Sequence, residues 1–310
     1  MPDTVSPAIP FGAKSTAEDV LAGLDLTGRT ILVTGCNSGI GYETLRALAA
    51  RGAHVIGLAR SAEKAREACA RAGGATTPIA CDLQDLASVD AAVAAVRGLG
   101  RPLDVIVANA GLLGSTWVER VYGIEKQFWV NHVAHFRLVT GLTDLVTDGT
   151  GRIVIVSSTA SIGLAPKPGI LFDDLDGARG YKRLAFYGQS KLANALFAKE
   201  LSRRLAPRGI TVNALHPGVI LGTGIARGVE WYLRGVLWVM RHFNKTEAQG
   251  AATQALLAAS PLVAGLTGRY WDNCQIAQPS VHFEDPAMAA RLWQVTEEIL
   301  ATVTKETPRQ

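Results

Sequence analysis

The sequence predicts an α/β fold, a single-domain doubly wound parallel sheet with helices on both faces, and three observations predict it. Short apolar runs of strand length alternate along the chain with amphipathic or alanine-rich segments of helix length. The runs are continuously apolar, as strands covered on both faces must be, and do not alternate as a half-solvated sheet would. A glycine-rich turn, Gly35 to Gly41, joins the first run to a long helical segment.

The elements follow in order. Residues 1–14 carry three prolines and are expected to be flexible. Ser15-Thr16-Ala17-Glu18 has capping-box spacing, which predicts a short helix from Thr16 toward Leu24, outside the main sheet. Strands are predicted over 30–33, 54–58, 77–80, 105–108, 153–156 and 211–215, with helices over 40–50, 62–72, 86–96, 124–146 and 185–205. With no internal repeat and no low-complexity linker, residues 15–303 read as one domain and 304–310 as a tail.

Bulk properties exclude several classes of function. The chain has 310 residues, 48% of them hydrophobic, enough to bury a sizeable core. Its 31 basic and 27 acidic residues include no long basic run, so no nucleic-acid partner is expected. Cys36, Cys69, Cys81 and Cys274 lack Cys-x-x-Cys spacing, which fits a reduced compartment. A start without a basic and then apolar leader adds the expectation of a cytoplasmic protein. The longest uncharged runs, 210–226 and 250–268, contain Pro217 and Pro261, which argues against a membrane span. No metal site is expected. His132 and His135 lack a third ligand in register, and the acidic loop at Asp173, Asp174 and Asp176 lacks the downstream glutamate of a calcium loop.

The motifs concentrate at the carboxyl ends of the predicted strands. In Thr34-Gly35-Cys36-Asn37-Ser38-Gly39-Ile40-Gly41 the small residues let the backbone turn sharply, and the free N–H groups at the helix start suit a pyrophosphate. A dinucleotide is the expected ligand. The second strand ends in Leu58-Ala59-Arg60-Ser61, without the carboxylate that would bind the ribose hydroxyls of NAD(H), and the Arg60 guanidinium suits a 2′-phosphate. NADP(H) is therefore expected ahead of NAD(H). Asp82 and Leu83 stand near the expected adenine, and Asn109-Ala110-Gly111 supplies small residues for a close ligand approach. Tyr187 and Lys191 are four apart and share one helix face, where an ammonium is expected to lower the phenol pKa.

In their order along the chain, the Thr-Gly-x-x-x-Gly-x-Gly turn, Asn109-Ala110-Gly111, Ser157-Ser158, Tyr187-x-x-x-Lys191 and His216-Pro217-Gly218 resemble the short-chain dehydrogenase/reductase family, whose sheet is of the Rossmann type. The resemblance covers nearly the whole chain. Asn131-His132-Val133-Ala134-His135-Phe136, Ser190-Lys191-Leu192-Ala193-Asn194 and the long insertion before Tyr187 look most like the retinol-dehydrogenase and WW-domain-containing-oxidoreductase branch.

That resemblance implies a catalytic tetrad of Asn131, Ser158, Tyr187 and Lys191, with Tyr187 as general acid/base, Ser158 holding the reacting oxygen, Lys191 on the nicotinamide ribose and Asn131 anchoring a relay water. Pro217, Gly218 and backbone groups of Ile220 would meet the carboxamide, since Thr223 stands one position later than the family pattern. It also implies a homodimer or homotetramer through the helices carrying Asn131 and Tyr187, which are apolar around much of their circumference. The segment at about 222–244 is expected to be a substrate flap. Trp231 and Trp238 there favour an apolar ketone, aldehyde or alcohol, while Arg227, Arg234 and Arg241 leave a peripheral membrane contact open. The alternatives are an NAD-dependent alcohol dehydrogenase and a noncatalytic NADP(H) sensor.

Overall fold

The computed structural model describes residues 8–220 and 245–306. Ten strands are present among them: β1 (Thr30–Thr34), β2 (His54–Ala59), β3 (Thr76–Ala80), β4 (Val105–Ala108), β5 (Arg120–Val121), β6 (Ile124–Glu125), β7 (Arg152–Val156), β8 (Thr211–His216), β9 (Tyr270–Asp272) and β10 (Gln275–Ile276). The helices are α1 (Ala17–Leu21), α2 (Gly39–Ala49), α3 (Ala62–Ala72), α4 (Leu86–Gly98), α5 (Lys126–Phe128), α6 (Ala134–Thr140), α7 (Ala160–Gly163), α8 (Arg183–Leu205), α9 (Glu247–Ala259) and α10 (Pro286–Glu306). Eight strands form one sheet in the order β10-β9-β8-β7-β4-β1-β2-β3, and β5 pairs separately with β6. Every neighbour in the large sheet is parallel except the β9–β10 hairpin at one edge.

Alternation along buried strands builds two cores. Ile31, Val33 and Val55 face one, which α2, α3 and α9 cover through Leu45, Ala65 and Leu256. Leu32 and Ile56 face the other, covered by α4, α6, α8 and α10 through Val89, Phe136, Leu196 and Leu292. This is the doubly wound sheet the sequence predicts; its six expected strands lie within one residue of their expected ends, and β9 and β10 were not expected.

Several local expectations need correction. The capping box at α1 pairs Thr16 with Asp19, one residue later than expected, and Gly23 at φ +74° ends the helix early. The segment 124–146 is not one helix. Its first two residues pair as β6, the Glu125 carboxylate then caps α5 at Phe128 N, and a π-helical turn (Trp129–Val133) leads into α6. The start of the chain is tied down from Ile9, because Gln275 Nε2 donates to the carbonyls of Ile9 (3.0 Å) and Phe11 (2.6 Å). At the other end α10 runs to Glu306, past the expected boundary at 303.

The apolar second faces of α6 and α8, expected to need another subunit, are covered by α10 of the same chain. Trp293 lies edge-on to Phe136 at 4.7 Å and tilted against Phe197 at 5.8 Å, and the Arg204 guanidinium stacks over it at 3.9 Å. His132 Nε2 meets Thr296 Oγ1 at 3.0 Å. Because α10 seals this core, Trp293→Ala should destabilise the protein by about 3 kcal/mol, read as a lower denaturant midpoint with an unchanged slope. No helix among the described residues is long and apolar enough to cross a membrane.

Candidate active site

A cleft of about 600 Å³ runs along the carboxyl ends of the parallel strands, from Arg60 and Lys64 at one end to Ser158, Tyr187 and His216 at the other. Gly35, Asn37, Ser38, Gly39, Ile40 and Gly41 line its middle. Gly35 and Gly39 sit at φ +69° and +58°, backbone that glycine adopts without strain. A Cβ at Gly41 would collide with the Gly35 carbonyl and with Asn109 Nδ2, so this approach is closed to any side chain. Ser38 precedes α2 in extended conformation, and its side chain makes no capping bond. The first N–H groups of α2 thus face the cleft free of a side-chain cap, a donor set that fits a pyrophosphate.

Below the turn, Asn109 Nδ2 donates to Thr34 O at 2.8 Å and Asn109 Oδ1 accepts from Gln254 Nε2 at 3.0 Å. Ala110 and Gly111 also line the wall, and a Cβ on Gly111 would stand 3.1 Å from Lys191 Nζ. Asp82 and Leu83 line the cleft beyond β3, where Asp82 Oδ1 holds its turn by accepting from Gln84 N. Arg60 ends β2. Ser61, expected beside the ligand, is outside the wall because its hydroxyl caps α3 by accepting from Lys64 N at 3.3 Å. The side chain that joins Arg60 is Lys64, in the first turn of α3, which sequence reasoning missed.

At the other end β7 delivers two serines to different places. Ser157 Oγ is buried and donates to Lys191 O at 2.7 Å, whereas Ser158 is in the cleft, hydrogen-bonded to Tyr187. Gly188 lets α8 press directly on the backbone from Ala160 to Ala165, which fixes α7 and the start of the long insertion against the helix turn that carries Tyr187. Lys191 Nζ donates to Val156 O at 3.2 Å and is 5.9 Å from the centre of the Tyr187 ring. Burial pushes Lys191 down to about 8.

Burial also pushes Tyr187 up to about 12, with the Ser158 hydrogen bond as the opposing influence. The expectation that Lys191 lowers the Tyr187 pKa is therefore corrected for this cofactor-free site. At that separation the cost of burying a phenolate outweighs the attraction of the ammonium.

Asn131 lies behind the wall in the π-helical turn, its Oδ1 accepting from Leu112 N at 2.8 Å and its Nδ2 donating to Leu112 O and Ser190 Oγ, each at 3.0 Å. Pro217, Gly218 and Ile220 line the cleft beyond β8. Gly218 has φ +98°, and Lys245 packs over it. His216 is buried and pushed down to about 4 by desolvation, so it is neutral near pH 7. Thr223, Trp231, Trp238 and the rest of the expected flap lie outside the described residues.

The short chain dehydrogenase family model matches residues 29–170 and 175–231. The WW domain-containing oxidoreductase of Pongo abelii is 37% identical over 310 residues, an alignment spanning 94% of this chain and 72% of that protein. A Streptomyces lividans protein named "Probable oxidoreductase" is 43% identical over 296 residues, spanning 87% of this chain and 97% of the relative. Among solved structures, an uncharacterized protein from Mycobacterium paratuberculosis superposes with a TM-score of 0.73 at 32% identity, covering 92% of this chain and 97% of its own. Actinorhodin polyketide ketoreductase with NADPH superposes with a TM-score of 0.62 at 27% identity, covering 78% and 94%. The parallel sheet, the glycine turn under an uncapped helix and the Ser158–Tyr187 pair thus meet a family model over most of the chain, which belongs to the short-chain dehydrogenase/reductase family of oxidoreductases.

Proposed function

We propose that the protein is an NADP(H)-dependent oxidoreductase interconverting a carbonyl and an alcohol on an apolar small molecule, with Tyr187 as the general acid/base. The observation that carries this reading is one cleft with the Ser158–Tyr187 pair at one end and two cations, Arg60 and Lys64, at the other. The glycine turn and the first N–H groups of α2 would hold the pyrophosphate, and Arg60 and Lys64 the 2′-phosphate. The solved ketoreductase with NADPH supports that assignment by analogy. The bound cofactor supplies the hydride.

The chain's own residues handle the proton. Tyr187, kept protonated by burial, donates it to the carbonyl oxygen, and Ser158 holds that oxygen by hydrogen bond as charge develops on it. Lys191 places a positive charge behind the phenol, and Asn131, which fixes the wall at Leu112, would anchor the relay water. In this cofactor-free site the phenol is protonated near neutral pH, the form that donates a proton in reduction. The substrate end is apolar: Leu112, Leu113, Leu164 and Val219 line it. A homodimer or homotetramer docked on α6 and α8 would have to displace α10, so we infer that any assembly uses another surface.

Following NADPH consumption with apolar ketones tests the reading. The cofactor preference has its own check. Arg60→Ala and Lys64→Ala should each lower the kcat/KM preference for NADPH over NADH by about tenfold, the low end for a charged hydrogen bond because Arg60 is exposed and Lys64 half-buried. An unchanged ratio in a variant removes that residue from phosphate recognition.

A further inference from the structure

His135 is a buried imidazole, 2% exposed, to which the proposed chemistry gives no role. Its environment determines its protonation. Thr34 Oγ1 accepts from the backbone N–H groups of Asn109 and Ala110, each at 2.9 Å, so both of its lone pairs are occupied. Its single proton must therefore go to His135 Nε2, at 3.0 Å. With Nε2 as acceptor, the neutral ring carries its proton on Nδ1, which faces the carbonyls of Asn131 and Val130, each at 3.2 Å. Burial and the nearby Lys191 charge push this histidine down to about 4, consistent with a neutral ring at working pH.

The two ends of the ring hold different parts of the site. Thr34 is the last residue before Gly35, and its own carbonyl receives Asn109 Nδ2 at 2.8 Å, so the Nε2 end secures the root of the glycine turn and the small-residue wall together. The Nδ1 end holds the backbone carbonyl of Asn131 within the π-helical turn. Such turns free backbone groups from the regular helical ladder and recur at functional sites.

We propose that His135 is a positioning residue that couples the cofactor turn to the Asn131 end of the proton relay, one ring nitrogen serving each. This inference rests on the functional reading above, and NADPH affinity gives it a readout that does not depend on turnover.

Two amides separate the two ring nitrogens. The side-chain amide of Asn reaches about as far as Nδ1 and that of Gln about as far as Nε2. His135→Asn should keep the Asn131 contact and lose Thr34, raising the NADPH Kd from fluorescence titration about tenfold, with kcat and its pH profile unchanged. His135→Gln should keep Thr34 and lose Asn131, leaving Kd within about twofold while kcat falls about tenfold and its alkaline limb moves. Thr34→Val breaks the first link from the other side and carries the test if His135→Asn does not fold. Because it also strips the acceptor from Asn109 N and Ala110 N, it should raise Kd at least as much as His135→Asn, and the double variant Thr34→Val/His135→Asn should be no worse than Thr34→Val alone.

Equal changes in both variants, no change in either, the reverse pattern, or additive loss in the double variant would each overturn the coupling. A parent protein that binds neither NADPH nor NADH overturns the functional reading as well. One that binds and turns over normally while the variants fail to separate overturns only the role of His135.

Discussion

Tyr187→Phe is expected to lower turnover by about 10²- to 10⁴-fold while leaving NADPH affinity within about twofold, because the ring stays and its transferable proton is gone. The ring is packed on a helix that Gly188 seats directly against the 160–165 backbone, so removing one oxygen leaves the wall in place. Ser158 keeps its bond from Ala160 N and remains able to hold a substrate oxygen. The loss should therefore appear in kcat and kcat/KM alike, as it does when an interaction made in the transition state is removed. Activity within threefold of the parent would remove Tyr187 from the chemistry.

The second large effect is expected at Lys191. Its ammonium is 4% exposed with a carbonyl, Val156 O, as its hydrogen-bond acceptor. Its pKa lies below the ordinary 10.5, at about 8, because burial disfavours the charge. The unfolded chain therefore binds a proton across a range in which the folded protein has released it. The resulting destabilisation is fully present below about pH 8 and fades as pH rises toward 10.5.

Lys191→Met keeps the length of the side chain and removes the charge, so at pH 7 it should raise the melting temperature. The same change should lower kcat by about 10²- to 10³-fold, since a fixed charge next to the developing one is lost. In the parent, reduction should run level through neutral pH and fall above about 8 as Lys191 deprotonates. In the variant that limb should be absent. A limb that persists unchanged would assign it to another group and exclude Lys191 from the relay.

Much of the frame was readable from local pattern. Continuously apolar runs of strand length locate the parallel strands from β1 to β8, and the four-residue spacing of Tyr187 and Lys191 puts both on one wall of the cleft. Strand alternation separates Ser157 from Ser158. What was missed depends on contacts between distant residues. His135 meets Thr34 across 101 positions, and Asn109 meets Gln254 across 145. No spacing rule links such pairs.

Lys64 escaped notice because it lies one helical turn beyond β2, where a lysine reads as a solvated helix face. The direction of the Tyr187 shift escaped because sequence shows the charged neighbour and hides the burial that outweighs it. Past residue 215, α9 is alanine-rich, and the apolar face of α10 has meaning only against Phe136 and Phe197.

The central claim is that this cleft catalyses reduction with NADPH. Its most direct measurement is NADPH consumption by the unmodified protein against a panel of steroid, retinoid, aromatic and small aliphatic ketones, with NADH run in parallel. The account predicts turnover of at least one bulky apolar ketone, faster with NADPH than with NADH and abolished in Tyr187→Phe. Tight NADPH binding with no turnover of any carbonyl, and no reaction of the corresponding alcohols with NADP⁺, would contradict it and identify the protein as a cofactor sensor.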